Sequence, residues 1–82
     1  MTFTIRSGES SGVVRTFGGE LVSFINDGVE YVWQGIPEHW NGQAPILFPV
    51  CCAAKDGKIA FNGVEYPRPK HGIARKLEFE PI

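Results

Sequence analysis

Residues 19–33, GELVSFINDGVEYVW, decide the fold class of this chain. Two runs rich in aromatic and β-branched residues flank an Asp27-Gly28 pair, and such runs are typical of strands. The pair is a strong hairpin signal, because glycine adopts the positive φ that a tight turn requires. We therefore expect residues 20–25 to pair with residues 29–33.

The same pattern extends outward in both directions along the chain. TFTIR (2–6) and GVVRTF (12–17) precede the hairpin as further strands, and KIAF and VEY around Asn62-Gly63 predict a second hairpin. KLEFE (76–80) alternates and is expected to form a closing strand. No periodicity predicts a helix longer than one or two turns. The pattern indicates an all-β fold of short strands within one domain, residues 1–82.

Two proline-containing stretches interrupt this pattern. Residues 34–45 are expected to form an irregular connection, with PEHW (37–40) making one helical turn that starts at its proline. ILFPVCCAA (46–54) is the longest apolar run. Pro49 cannot donate to a strand ladder, so we expect a short buried strand that ends in a loop rather than a central strand.

Size and charge exclude several functional classes. A chain of 82 residues buries only about 60–65% of its unfolded surface, which leaves a small stability margin. The formal net charge is −1 and the eight Lys and Arg residues are scattered, so a nucleic-acid interface is not expected. No apolar run is long enough to span a membrane, and the first ten residues turn polar too early for a secretory signal. We expect a cytoplasmic location.

The two cysteines are neighbours in the sequence, Cys51 and Cys52. A bridge between adjacent cysteines strains the peptide bond that joins them. A metal site needs three or four ligands, and only two histidines, both distant in sequence, could supplement the pair. We expect two free, partly buried thiols and no metal site.

Five motifs in a fixed order resemble the start of the aldose 1-epimerases, also called galactose mutarotases. They lie in GGELVSFINDGVEYVWQG (18–35), WNGQAPILFPV (40–50), KDGKIAFNGVEYPRPKHGIAR (55–75) and FE (79–80). The most similar branch is that of the LacX proteins of lactose operons. The likeness extends over nearly the whole chain.

The resemblance implies the N-terminal portion of a large antiparallel β-sandwich that binds sugar on a concave sheet face. Family members are several times longer, so the resemblance implies a truncated sandwich segment. Strands cut from their partners expose unpaired edges. We therefore expect self-association through open sheet edges, with residues 46–48 near the contact.

The family reaction interconverts the α and β anomers of an aldose through ring opening. A base removes the proton of the anomeric hydroxyl and an acid protonates the ring oxygen, which requires no cofactor. The family's acid histidine and base glutamate lie in later segments, so no catalytic residue is expected in this chain.

The substrate-binding residues that the resemblance implies are His71, Gly72, Arg75 and Trp40. His71 matches the histidine that holds a sugar hydroxyl, and Gly72 keeps the backbone slim beside it. The alternative for His71 is a loop histidine that satisfies a nearby carbonyl. Arg75 matches an arginine that helps bind phosphate in the hexose-phosphate branch. Its alternative is an ion pair with a glutamate such as Glu78 or Glu80.

Other positions depart from the family pattern or allow a structural role. Ala53 stands about where the family has an arginine that reaches the sugar, which puts full activity or the usual specificity in doubt. Trp33 is expected in the core and Trp40 either stacks on sugar or serves the loop. His39 is expected to face solvent and Asn41 to serve a turn.

Three functions remain open from the sequence. The first is an aldose 1-epimerase-like protein acting on a hexose, incomplete as this chain. The second is a non-catalytic carbohydrate-binding or interaction module. The third, within the same family, is a hexose-6-phosphate 1-epimerase. The expected ligand is a small sugar, either a hexose or a hexose phosphate.

Overall fold

The computed structural model describes all residues, 1–82, and contains six strands and no α-helix. The strands are β1 (Thr2–Ser7), β2 (Ser10–Arg15), β3 (Glu20–Asn26), β4 (Val29–Glu30), β5 (Lys58–Phe61) and β6 (Val64–Pro67). Two single-turn 3-10 segments, Lys55–Gly57 and Ala74–Lys76, complete the regular structure. None of these elements is a helix long and apolar enough to cross a bilayer.

The first four strands form one antiparallel sheet in the order β1-β2-β3-β4. Asp27 and Gly28 both have positive φ, 50° and 80°, so the predicted turn between β3 and β4 is confirmed. The ladder between these strands is shorter than expected and includes only Ile25–Glu30 and Asn26–Val29.

The side chain of Glu30 explains why this ladder stops. Its carboxylate accepts hydrogen bonds from the N–H groups of Phe24 (2.8 Å) and Val32 (3.0 Å) and from the Ser23 hydroxyl. The Phe24 N–H would otherwise donate across the ladder to residue 31, so the carboxylate replaces a strand bond. The hydroxyl of Ser23 and these N–H groups hold the pKa of Glu30 below its ordinary value.

A bulge in β3 anchors the irregular connection, residues 34–45, to the sheet. Val13 lies opposite Ser23 and Val14 opposite Leu21, which leaves Val22 as an extra residue. The Val22 carbonyl accepts from the side-chain amides of Gln34 (3.0 Å) and Gln43 (2.9 Å). These amides satisfy a backbone group that the bulge removes from the ladder.

Glu20, two residues before the bulge in β3, also holds residues 34–45 to the sheet. Its buried carboxylate accepts from the Arg15 guanidinium and from the Ala44 N–H at 2.9 Å. Residues 37–39 form one turn, with the Trp40 N–H bonded to the Ile36 carbonyl at 3.0 Å. The expected single turn at PEHW is therefore present.

The second hairpin, β5-β6, is separate from the four-stranded sheet and is confirmed as predicted. Asn62 and Gly63 form its turn with φ of 51° and 78°. All eight strand residues are exposed. The hairpin therefore contributes little buried surface to this chain.

Two expected strands are absent. Within residues 46–54 only Phe48 forms a bridge, a parallel one to Gly72, and Phe48 is 62% exposed, so the predicted buried strand is wrong. Pro49 follows that bridge directly and has no backbone N–H with which a ladder could continue.

Within residues 76–80 only Glu78 forms a bridge, to Phe17, so the predicted closing strand is also wrong. Its partner segment turns away at Gly18 and Gly19, which both have positive φ. This turn limits the pairing to a few bonds around Thr16, whose carbonyl accepts from the Phe79 N–H at 2.9 Å.

The chain is a single layer with almost no interior. Its extents are 53 × 34 × 18 Å, and Ala74 is the one buried apolar residue. The accessible surface is 6360 Å², whereas a folded monomer of this mass is expected to expose about 4,900 Å². The radius of gyration is 16.1 Å, against about 12 Å for a compact chain of this length. Much of the apolar surface of the sheet is therefore uncovered.

Candidate functional site

His71 lies in the loop after β6 and is fixed to the Cys52 backbone by two hydrogen bonds. The His71 N–H donates to the Cys52 carbonyl at 3.0 Å, and the Cys52 N–H donates to His71 Nδ1 at 2.9 Å. Both residues have a φ of 63°, so each contributes a left-handed residue to the contact. The ring is half-buried. These bonds restrict both the backbone and the ring orientation of His71.

The bond to Nδ1 also determines which ring nitrogen carries the proton. Nδ1 accepts from a backbone N–H, so in the neutral ring the proton resides on Nε2. Nε2 has no hydrogen-bond partner within the chain. The ring satisfies a backbone N–H rather than the carbonyl of the alternative interpretation, so a structural role for this loop histidine stays open. His71 also presents an unused N–H donor at Nε2.

Gly72 allows the close approach of two loop segments. It has φ of 77°, and a Cβ there would lie 2.5 Å from the Phe48 carbonyl carbon and 2.9 Å from the Pro49 nitrogen. The Phe48 carbonyl accepts from the N–H groups of Ile73 (2.8 Å) and Ala74 (3.2 Å). Glycine at this position therefore has a backbone packing role, whatever ligand approaches His71.

Arg75 forms no ion pair in this chain. Its half-buried side chain carries a buried Nε that lacks a hydrogen-bond partner. Glu78 instead accepts from the Thr16 hydroxyl, and the two salt bridges of the chain are Arg15–Glu20 and Lys58–Glu65. The alternative of an ion pair between Arg75 and Glu78 or Glu80 is therefore wrong.

Trp40 shares no hydrogen bond with the His71 loop. It is 52% exposed, and its carbonyl accepts from Trp33 Nε1 at 2.7 Å. No hydrogen bond joins residues 34–45 to residues 68–75. His71, Gly72 and Arg75 therefore lie within five residues of one another in the chain, whereas no hydrogen bond links Trp40 to them.

The indole of Trp33 is partly exposed rather than buried in a core, contrary to the expectation from the sequence. Its ring centroid lies 6.1 Å from that of His39, which is itself exposed as expected. Asn41 is likewise exposed. Its carbonyl lies 2.9 Å from the position that a Cβ on Gly35 would occupy, so glycine at position 35 allows this close approach; the turn role of Asn41 stays a prediction.

The segment 51–53 supports His71 through its backbone rather than through a side chain. Arg68 Nη2 donates to the Cys51 carbonyl at 2.6 Å, so Arg68 and His71 hold adjacent residues of this segment. Sequence reasoning missed both Arg68 and the Cys52 backbone. Contacts made by a backbone group do not depend on residue type, so the sequence does not indicate the role of Cys52. Nothing in the sequence around Arg68 distinguishes it from other loop arginines.

Both thiols of this segment are free and exposed, so the expected partial burial is wrong. The single-layer structure supplies nothing above this segment to cover them. No three His, Cys, Asp or Glu side chains come close enough together to hold a metal ion.

Two solved structures are similar to this chain. A galactose mutarotase-like protein from Lactobacillus casei superposes with a TM-score of 0.94 and 34% identity over 98% of this chain. A galactose mutarotase related enzyme from Lactobacillus acidophilus superposes with a TM-score of 0.91 and 33% sequence identity. This chain corresponds to 28% and 27% of those chains. Over the part it spans, the chain has the fold of a galactose mutarotase-like protein, which confirms the predicted portion of an antiparallel β-sandwich.

Among curated proteins, the chain is similar to the plasmid and chromosomal LacX proteins of Lactococcus lactis subsp. lactis. The identities are 40% and 39% over 85 aligned residues, which cover 96% of this chain and 28% of each relative. The chain thus spans a little over a quarter of the length of these relatives. The predicted resemblance to the LacX-like branch is confirmed. No protein-family model matches the chain.

Proposed function

We propose that this chain supplies a sugar-contacting segment of an aldose 1-epimerase-like protein, which interconverts the α and β anomers of a hexose. The observation that carries the proposal is the geometry of His71. Its ring is fixed by the Cys52 backbone and offers a free Nε2–H donor. A fixed donor of this kind suits the ring or hydroxyl oxygen of a sugar, because both accept hydrogen bonds.

In this proposal His71 binds and orients the sugar rather than exchanging its protons. Nδ1 is occupied by the Cys52 N–H, so the neutral ring has no free lone pair with which to act as a base. The acid and base groups that open the ring are not assigned to residues 1–82. The 82-residue chain alone is therefore proposed to bind sugar weakly and not to catalyse mutarotation.

A hexose 6-phosphate is the second candidate ligand, and Arg75 supports it. Its guanidinium has no carboxylate partner, so no ion pair within the chain competes with a phosphate for it. The other alternative is a non-catalytic carbohydrate-binding or interaction module. The lack of an arginine at Ala53 favours that alternative, since one expected donor to sugar is missing.

Polarimetry of freshly dissolved α-glucose and α-galactose tests the catalytic part of this proposal. With the 82-residue chain we expect the rotation to relax at the buffer rate. A rate far above that of the buffer would show that the chain contains its own acid and base groups, and the assignment of roles would be wrong.

Comparison of glucose with glucose 6-phosphate tests the ligand class. If Arg75 binds phosphate, the phosphorylated sugar binds more tightly, and Arg75→Gln removes the difference but leaves glucose binding unchanged. Equal binding of both sugars by the unmodified chain would exclude the phosphate role.

The remaining expectations stay proposals. The reaction requires no cofactor, and neither nucleic acid nor membrane is proposed as a partner. A cytoplasmic location and the assignment of residues 1–82 to one segment of a larger sandwich domain also stay predictions, as does a role for Trp40 at the sugar.

A further inference from the structure

The peptide unit between Cys51 and Cys52 is held at both of its polar ends by side chains of the loop after β6. Its carbonyl accepts from Arg68 Nη2 at 2.6 Å, and its N–H donates to His71 Nδ1 at 2.9 Å. The unit is trans, so its carbonyl and its N–H point to opposite sides of one rigid plane. Arg68 and His71 therefore hold the same plane from opposite sides, and neither polar group can turn without the other.

This peptide plane is held in an orientation that backbone sterics disfavour. Cys52 is left-handed, with φ of 63°, where its Cβ lies too close to the following carbonyl oxygen. A turn of the plane changes ψ of Cys51 and φ of Cys52, so it can return Cys52 to negative φ. The turned plane would point its N–H away from His71 and its carbonyl away from Arg68. The two hydrogen bonds therefore oppose a turn that would relieve the strain at Cys52.

The bond from Arg68 is the stronger of the two restraints. Its guanidinium is charged, and hydrogen bonds from charged donors are roughly twice as strong as neutral ones. The Arg68 backbone is itself fixed, because its N–H donates to the Gly57 carbonyl at 2.7 Å. A charged donor on the Cys51 carbonyl also polarises the peptide and strengthens the bond that the Cys52 N–H makes. The contact between Cys52 and His71 therefore depends on Arg68.

We propose that Arg68 is a positioning residue for His71 and acts through the Cys51–Cys52 peptide. By holding the Cys51 carbonyl, Arg68 keeps the Cys52 N–H on His71 Nδ1, and the neutral ring then carries its proton on Nε2. The functional consequence, a ring oriented toward a sugar oxygen, rests on the proposed function. The positioning itself requires no sugar, so it is tested separately.

Amide hydrogen exchange in Arg68→Met, followed by NMR, tests the positioning. Methionine keeps much of the length of the side chain but has no hydrogen-bond donor. We expect the protection of the Cys52 amide to fall at least about tenfold, because a hydrogen bond from a charged group is worth at least that factor. The Ile73 amide, which donates to the Phe48 carbonyl at 2.8 Å, is the internal reference and should keep its protection. Unchanged protection at Cys52, or an equal loss at Ile73, would overturn the proposal.

A matched control and a rescue variant accompany Arg68→Met. Arg6 is an exposed arginine of β1 that forms no salt bridge, so Arg6→Met removes the same charge and should leave the Cys52 amide protected. The rescue variant adds Cys52→Gly to Arg68→Met. Since glycine adopts positive φ without a steric cost, protection at position 52 should return at least in part. Loss of protection in Arg6→Met, or no return in the rescue variant, would contradict the proposed mechanism.

The response of the His71 ring to glucose separates this inference from the proposed function. If glucose shifts the His71 signals of the unmodified chain, the shift should be smaller in Arg68→Met at the same sugar concentration. A shift of equal size would overturn the functional consequence. If His71 does not respond to glucose but Cys52 loses protection in Arg68→Met, the positioning is supported and the sugar contact is wrong.

A measurement on the unmodified chain covers the case in which Arg68→Met does not fold, as judged by circular dichroism. The guanidinium protons of Arg68 should exchange with water at least about tenfold more slowly than those of Arg6, because one of them is held by the Cys51 carbonyl. Equal exchange at the two arginines would show that Arg68 does not hold this peptide and would overturn the proposal.

Discussion

Substitution of Gly72 by alanine should destabilise the chain far more than its small volume suggests. An L-residue in the left-handed region costs about 1–2 kcal/mol. At φ of 77° the new Cβ also meets the Phe48 carbonyl and the Pro49 nitrogen, so the two backbones must separate. Separation weakens the bonds from the N–H groups of Ile73 and Ala74 to Phe48, each about 1 kcal/mol. The expected loss is about 3–4 kcal/mol.

Gly28→Ala is the matched control, because Gly28 has φ of 80° and nothing lies within 4 Å of the position that a Cβ would occupy there. Gly28→Ala should lower the free energy of unfolding only by the cost of a left-handed L-residue, about 1–2 kcal/mol. Thermal unfolding at equal protein concentration measures both variants, and each kcal/mol corresponds to about 4–8 °C for a domain of this size. Equal losses for the two variants would show that the contact between Phe48 and Gly72 does not form, and the described loop geometry would be wrong.

Three further outcomes are expected. In a urea titration, Glu20→Ala should destabilise the chain by about 1–3 kcal/mol, because the variant loses a buried carboxylate that accepts from a backbone N–H. Glu65→Ala is the control: Glu65 belongs to an exposed ion pair, so its loss should have almost no effect on stability. Because the pKa of Glu30 is lowered in the folded chain, its ionised carboxylate stabilises the fold at pH values above the ordinary carboxyl pKa. That stabilisation is lost as the pH falls through the lowered pKa. The stability of Glu30→Gln should therefore depend less steeply on pH in the acid range. Cys51 and Cys52 should both react with a thiol reagent without denaturant; protection of either would contradict their exposure.

The sequence predicted the hairpins because their turns are determined locally. Asp27-Gly28 and Asn62-Gly63 supply consecutive residues with positive φ, and the structure places turns at both pairs. The length of the β3-β4 ladder was not predictable in the same way. It depends on the Glu30 side chain, which competes with the backbone for the Phe24 N–H, and alternation of residue types does not reveal such competition.

The errors at residues 46–54 and 76–80 have different causes. The single bridge of Phe48 is followed directly by Pro49, which has no N–H to continue a ladder, and the segment that pairs with Glu78 turns away at Gly18 and Gly19. Alternation and apolar content within each stretch do not show what its partner segment does. In the candidate site, residue type and motif order pointed to His71, and its contact with a sugar stays a prediction. The orientation of its ring depends on the Cys52 backbone N–H, which every residue except proline carries, so no sequence signal indicates it.

The central claim is that His71 presents its Nε2–H to a sugar. NMR observation of the imidazole resonances during titration with glucose or galactose tests it most directly, because the chain has only two histidines and His39 lies in a different loop. We expect the signals of His71, assigned through His71→Ala, to shift with sugar concentration while those of His39 stay constant. Unchanged His71 signals at the highest soluble sugar concentration, or shifts confined to His39, would contradict the claim.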